Sequence, residues 1–204
     1  MIKFKDILDE VKLVPRRSKE ERQKKHAVQL NNVIKHYSKQ SPEYFEEHPE
    51  KKDLNLSNLK FEPKLPNNLT VYGNLSLTNT PIKELPSDLK VGANLYLYQS
   101  PIKELPSGLE VDGDLDLTKT QIKELPSDLK VGGSLDLRNT PIISLPSDLK
   151  VGGSLYLEDT SIKELPSDLK VGGSLALTHT PISKKYTQEQ LKKMLPNVTG
   201  KIYI

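Results

Sequence analysis

Residues able to do chemistry are few in this 204-residue chain, and their spacing works against them. There is no cysteine, so neither a thiolate nucleophile nor a thiolate metal site can be built. The four histidines, His26, His36, His48 and His179, are scattered. His26 and His36 stand ten residues apart, which on a helix does not bring two imidazoles to one ion. Carboxylates are more regular. Asp88, Asp128, Asp148 and Asp168 fall at multiples of twenty, and stacked carboxylates could hold a cation. Lys90, Lys130, Lys150 and Lys170 follow two residues behind them, however, and Asn68 and Gly108 interrupt the row. Turn chemistry therefore accounts for the aspartates better than a metal does. Val-Gly-Gly-Ser recurs without opening a helix, so it is no phosphate cradle. No nucleophile stands with a base and an acid at usable spacing. The expectation is a protein that is not an enzyme and takes no cofactor.

The interval of twenty governs far more than the aspartates. Residues 65 to 184 are six consecutive copies of one segment, among them LPSDLKVGANLYLYQSPIKE, LPSDLKVGGSLDLRNTPIIS and LPSDLKVGGSLYLEDTSIKE. A period this short predicts a solenoid, in which no copy can bury its apolar side alone. What every coil keeps is scaffold, and what the coils vary is free to carry function. The low hydrophobic content of 35% fits a core that is a narrow stack rather than a sphere.

Side chains alternate across a strand, so in Ser154-Leu-Tyr-Leu-Glu158 the leucines point inward while Ser154, Tyr156 and Glu158 point outward. Leu149 and Val151 form a second inward pair on the opposite wall. One glycine of the intervening pair survives in every coil (Gly73, Gly92, Gly113, Gly133, Gly153, Gly173), which predicts a positive φ or tight packing there. Ile162 and Leu165 fill the core after the strand. A hydroxyl column follows at Thr80, Ser100, Thr120, Thr140, Thr160 and Thr180. The resulting L-x-L-x-x-T-x-I-x-x-L-P pattern resembles the leucine-rich repeat, with Thr or Ser where that family carries a ladder-forming Asn. The resemblance, over residues 53 to 204, implies that these hydroxyls bridge neighbouring coils. The L-x-V-G-G-S-L-x-L-x-x-T core, a short charged N-terminal helix and the opening MIKFKDILDE also resemble solenoid proteins of large tailed bacteriophages.

The ends depart from the repeat. In residues 1 to 52, Phe4, Ile7, Leu8 and Val11 predict a short helix over 3–13, closed by Pro15. Ser18 with Glu21 is a capping-box pattern opening a helix from about Lys19 to Tyr37, with Ala27, Leu30, Ile34 and Tyr37 on one face. Ser41-Pro42 starts another turn of helix that buries Tyr44 and Phe45. This segment reads as a cap on the first coil. Residues 53 to 66 are half a coil. The C-terminal cap, 185–204, predicts a helix from Thr187 to about Met194 with Leu191 and Met194 inward, then Ile202 and Ile204 in the L-x-L places. The fold class is thus a mainly β, leucine-rich-repeat-like solenoid between an α-helical N-terminal cap and a short C-terminal capping helix. Its L-x-L pairs predict eight parallel strands in one sheet, about 34 Å across at about 4.8 Å per strand.

Function is sought where the coils differ. The outward columns of the main sheet read Ser76, Tyr96, Asp116, Asp136, Tyr156, Ala176 and Thr78, Tyr98, Thr118, Arg138, Glu158, Thr178. Tyr and Arg are enriched in interface hot spots, so Tyr96, Tyr98, Asp116, Asp136, Arg138, Tyr156 and Glu158 are the candidate partner-binding residues, and the candidate partner is another protein. Given the phage resemblance, a host or viral protein is the natural choice. Net charge is only +3, but residues 15 to 40 hold eight Lys or Arg against two acids. Arg16, Arg17, Arg22, Lys24 and Lys25 therefore form an alternative site for nucleic-acid phosphates. A minor structural role in a virion is a third reading. The Lys-Glu rows (Lys83-Glu84, Lys103-Glu104, Lys123-Glu124, Lys163-Glu164) read as solubilising. Tyr98, Arg138 and Glu158 break any flat Thr array of the ice-binding kind. The absence of a secretory signal or an apolar run of about 18 residues predicts a cytoplasmic protein (host cytoplasm, if viral) without membrane contact or small-molecule substrate.

Overall fold

The computed structural model describes residues 18–204; the helix expected over 3–13 lies outside them. Helix α1 (Lys19–Tyr37) opens with the expected capping box. Ser18 Oγ accepts the Glu21 N–H at 3.2 Å, and Glu21 Oε2 accepts the Ser18 N–H at 2.9 Å. Leu30, Ile34 and Tyr37 are buried along one face. Helix α2 (Pro42–Glu47) buries Phe45. The two helices join the coils through stacked rings: Tyr37 to Phe45 and Phe45 to Tyr72 both stand at 4.8 Å between centroids. The Tyr37 hydroxyl donates to the Lys52 carbonyl at 2.5 Å and accepts the Tyr72 N–H at 3.3 Å. Burial pushes that phenol well above its ordinary value.

From Leu54 the chain winds in parallel coils. Each full coil gives one two-residue strand to each of two sheets. The main sheet runs β1 (Leu54–Asn55), β3 (Leu75–Ser76), β5 (Leu95–Tyr96), β7 (Leu115–Asp116), β9 (Leu135–Asp136), β11 (Leu155–Tyr156), β13 (Leu175–Ala176), β14 (Ile202–Tyr203), the eight parallel strands expected. The opposite wall holds β2 (Thr70–Val71), β4 (Lys90–Val91), β6 (Glu110–Val111), β8 (Lys130–Val131), β10 (Lys150–Val151) and β12 (Lys170–Val171). Register repeats at twenty residues through coils one to six: Leu95 pairs Leu115, which pairs Leu135. Leu, Val and Ile columns between the walls form one continuous core, with Leu135, Leu137, Ile142, Leu155 and Leu157 fully inaccessible.

Several positions behave differently from expectation. The glycine pair adopts no positive φ; Gly108 is the only left-handed glycine among the described residues. The pair is needed for closeness, since a methyl on Gly152 would run into the Gly132 carbonyl. The hydroxyl column does not bridge coils, with one exception. Thr120, Thr140, Thr160 and Thr180 each donate to the carbonyl three residues back in their own coil, at 2.5–2.7 Å. Only Thr80 reaches the preceding coil, at Leu56 O, 2.7 Å. Ser100, lacking the methyl that holds a threonine rotamer, leaves its buried hydroxyl unpartnered.

Bridging is done instead by a column on the other side of the strand, which includes Ser154. Asp53 accepts the Asn74 N–H (2.7 Å), Asn74 the Asn94 N–H (3.0 Å), and Asn94 the Asp114 N–H (2.7 Å). Asp114 accepts from Ser134 (2.6 Å), Ser134 from Ser154 (3.0 Å), Ser154 from Ser174 (3.0 Å), and Ser174 from Lys201 (3.3 Å). This ladder runs from the first half-coil to the last strand. A further column, Asn79, Gln99, Lys119, Asn139, Asp159 and His179, is uniformly left-handed at φ 52–64°. It sets the turn after the main strand, and Gln, Lys and His pay steric strain there.

At the C-terminal end, helix α3 (Pro181–Lys185), not foreseen from the sequence, replaces the extended segment of coil six. Thr180 caps it by accepting the Ser183 N–H at 3.2 Å. Helix α4 (Gln188–Met194) carries a Thr187–Gln190 capping box. Leu191 is buried, but Met194 and Ile204, both expected inward, are 44% exposed.

Candidate functional site

The main-sheet strands set the candidate residues in two adjacent columns. Register places Tyr96 beside Asp116, Asp116 beside Asp136, and Asp136 beside Tyr156. All four side chains are half-buried. The second column is stacked by the backbone just past each strand: Gln99 N–H reaches Thr118 O, Lys119 N–H reaches Arg138 O, and Asn139 N–H reaches Glu158 O. The sequence-derived patch is therefore one continuous surface over four neighbouring coils.

Its parts are unequally satisfied. Asp136 holds Arg138 in a fork: Nε lies 3.0 Å from both carboxylate oxygens, and Asp136 Oδ1 also accepts the Arg138 N–H at 3.1 Å. The Arg138 guanidinium lies over the Tyr156 ring, 5.4 Å from its centroid. The Asp136 hydrogen bond raises the guanidinium pKa; partial burial opposes this, and Asp136, Glu158 and Asp116 add to it through their charge. Asp116 accepts the Thr118 N–H at 2.8 Å, and among the described residues no cation pairs with it. Glu158 Oε2 is shut from solvent without a hydrogen-bond partner. The Tyr96 hydroxyl accepts from Asn94 Nδ2 at 2.9 Å, and that of Tyr98 from Lys119 Nζ at 3.1 Å. These two tyrosines are thus oriented by neighbours, and Lys119 Nζ also lies over the Tyr98 ring, 5.3 Å from its centroid.

Of the alternative basic site, Arg16 and Arg17 lie outside the described residues. Arg22, Lys24 and Lys25 occupy the first half of α1, away from its buried face. Lys24 is paired with Glu20 at 2.9 Å, and Lys25 is half-buried. The Lys-Glu rows line an open cleft of about 580 Å³ around Lys83, Glu84, Pro101, Lys103 and Glu104. Among the described residues no cluster of His, Asp or Glu has the arrangement of a metal site, and no helix is long and apolar enough to cross a membrane. Comparison with protein-family models, with curated proteins and with solved structures finds no match.

Proposed function

We propose that this chain is a non-enzymatic protein-interaction module that binds another protein through the outer face of its main sheet. The observation that carries the reading is the Asp116–Asp136 contact. Two short, half-buried carboxylates sit in register on neighbouring strands, where like charges are destabilising. Surface drift alone would have little reason to retain such a pair between two tyrosines. The contact surface comprises Tyr96, Tyr98, Asp116, Asp136, Arg138, Tyr156 and Glu158. The resemblance to phage solenoid proteins makes a host or viral protein, for example a defence factor, the natural partner, met in the host cytoplasm. The test is joint replacement of Tyr96, Asp136 and Tyr156 by alanine, followed by affinity capture from infected cells. Loss of a protein that the unaltered chain retains is expected; unchanged recovery would overturn the reading.

A further inference from the structure

The two ends of the solenoid carry opposite charge. The chain has 30 Lys or Arg against 27 Asp or Glu. Its C-terminal end, residues 181–204, holds Lys184, Lys185, Lys192, Lys193 and Lys201 against Glu189 alone, so the chain's whole positive excess is gathered there. These lysines are all exposed, and among the described residues none is ion-paired. The same end is also apolar. Met194, Tyr203 and Ile204 are three of the five large hydrophobic side chains exposed among the described residues. Met194 borders a hollow of about 180 Å³ lined by Leu165, Ile182 and Leu191. A phosphate backbone would use the lysines and gain nothing from the aliphatic chains, whereas a protein surface uses both.

At the opposite end, α2 and the turn after it (residues 42–50) hold Glu43, Glu46, Glu47 and Glu50 and no Lys or Arg. All four acids are exposed and none is ion-paired. Phe45 anchors α2 on coil one through Tyr72, so the acids stand clear of the coils. Lys51, which follows them, is held on the Tyr44 hydroxyl at 3.1 Å. Within one chain these ends cannot meet, because the eight-stranded sheet sets them about 34 Å apart.

We infer that the basic, apolar C-terminal end docks on the acidic α2 surface of a second copy, so that copies of this chain associate head to tail. Charge fixes the polarity: unlike ends attract, and like ends repel. The contact is heterologous and leaves one end of each copy free, so association does not stop at a dimer. The outer face of each main sheet stays uncovered in such a row, which presents that face in several copies and raises its avidity for any repeated target. The inference does not depend on what the sheet face binds.

The test is sedimentation velocity on the full chain and two exposed double replacements, Lys192→Glu with Lys193→Glu, and Glu46→Lys with Glu47→Lys. The unaltered chain is expected to grow in mass between about 10 μM and about 1 mM at low salt, the range of a weak contact. It should return to single copies at about 1 M salt, where charges act over only about 3 Å. Each variant alone should sediment as single copies throughout, since both of its ends then carry the same sign. An equimolar mixture of the two variants should regain the association, which a merely misfolded variant could not do. An unaltered chain that stays single at the top of the range overturns the inference, as does a variant that associates like the unaltered chain, or a mixture that stays single. If the chain stays single but binds a labelled oligonucleotide through Lys192 and Lys193, the C-terminal end is a nucleic-acid site and the inference falls.

Discussion

On the six-stranded wall the outward column reads Thr70, Lys90, Glu110, Lys130, Lys150, Lys170; on the eight-stranded wall it reads Ser76, Tyr96, Asp116, Asp136, Tyr156, Ala176. Both columns ride on the same core at the same spacing, yet they treat charge differently. Glu110 sits between two lysines, with Lys90 Nζ at 2.9 Å and Lys130 Nζ at 2.6 Å. The remaining lysines are long and exposed and can spread apart. Across the core, two short carboxylates are held side by side; Asp136 ion-pairs with Arg138, and Asp116 acts on that guanidinium only through its charge. The first arrangement is what a soluble surface needs. In the second, like charges side by side on neighbouring strands are expected to cost stability, which is why the binding proposal rests on this face.

The comparison can be tested by substitution. The largest effect belongs to the shared core: Leu137→Ala should lose about 2–5 kcal/mol in urea unfolding, as for other fully buried leucines. Gly152→Ala, just past β10 of the six-stranded wall, should lose about 1–3 kcal/mol by forcing a methyl against the preceding coil's backbone. On the outer face of the main sheet the sign should reverse. Asp116→Asn should leave stability unchanged or raise it by up to about 1 kcal/mol, because it removes a like-charge neighbour; a clear loss would mean the acid is structural. The smallest effect is at Glu110. Hydrogen bonds from Lys130 and Lys90 hold its carboxyl at about 2, below its ordinary 4.5. A depressed folded-state value means that its contribution is complete above pH 4.5 and is lost as pH falls toward 2. Glu110→Gln should therefore flatten the urea midpoint over that interval and change little else, solvent screening keeping the effect small.

The period made most of the fold legible, because a residue that recurs every twenty positions must face the same neighbour in every coil. The Ser18–Glu21 capping box and the eight-strand count followed from local pattern. The side-chain ladder did not, for a chemical reason. Asp53, Asn74, Asn94, Asp114, Ser134, Ser154 and Ser174 look like three residue types, and a sorting by type separates them. What they share is one short-range acceptor oxygen, which is all the next coil's N–H requires. Thr120 and its equivalents look like a ladder by type, but a hydroxyl so close to the backbone finds its own coil's carbonyl first. The patch was legible as positions but not as chemistry. Outward residues obey no period, and only the geometry distinguishes Asp136, forked to Arg138, from Asp116, which accepts a backbone N–H.

The side-chain ladder also bears on how such a chain can change length. In each repeating coil, one residue donates its backbone N–H to the coil before, and its side-chain oxygen accepts the N–H of the coil after. Ser, Asn and Asp serve interchangeably, so any coil can follow any other. Duplication of the coding segment for residues 145–164 would insert a ready-made unit with both junctions already compatible. It would lengthen the outer face by about 4.8 Å and leave each cap where it belongs. Gene duplication could then extend or shorten the recognition surface in whole steps, without requiring a new fold for each new length.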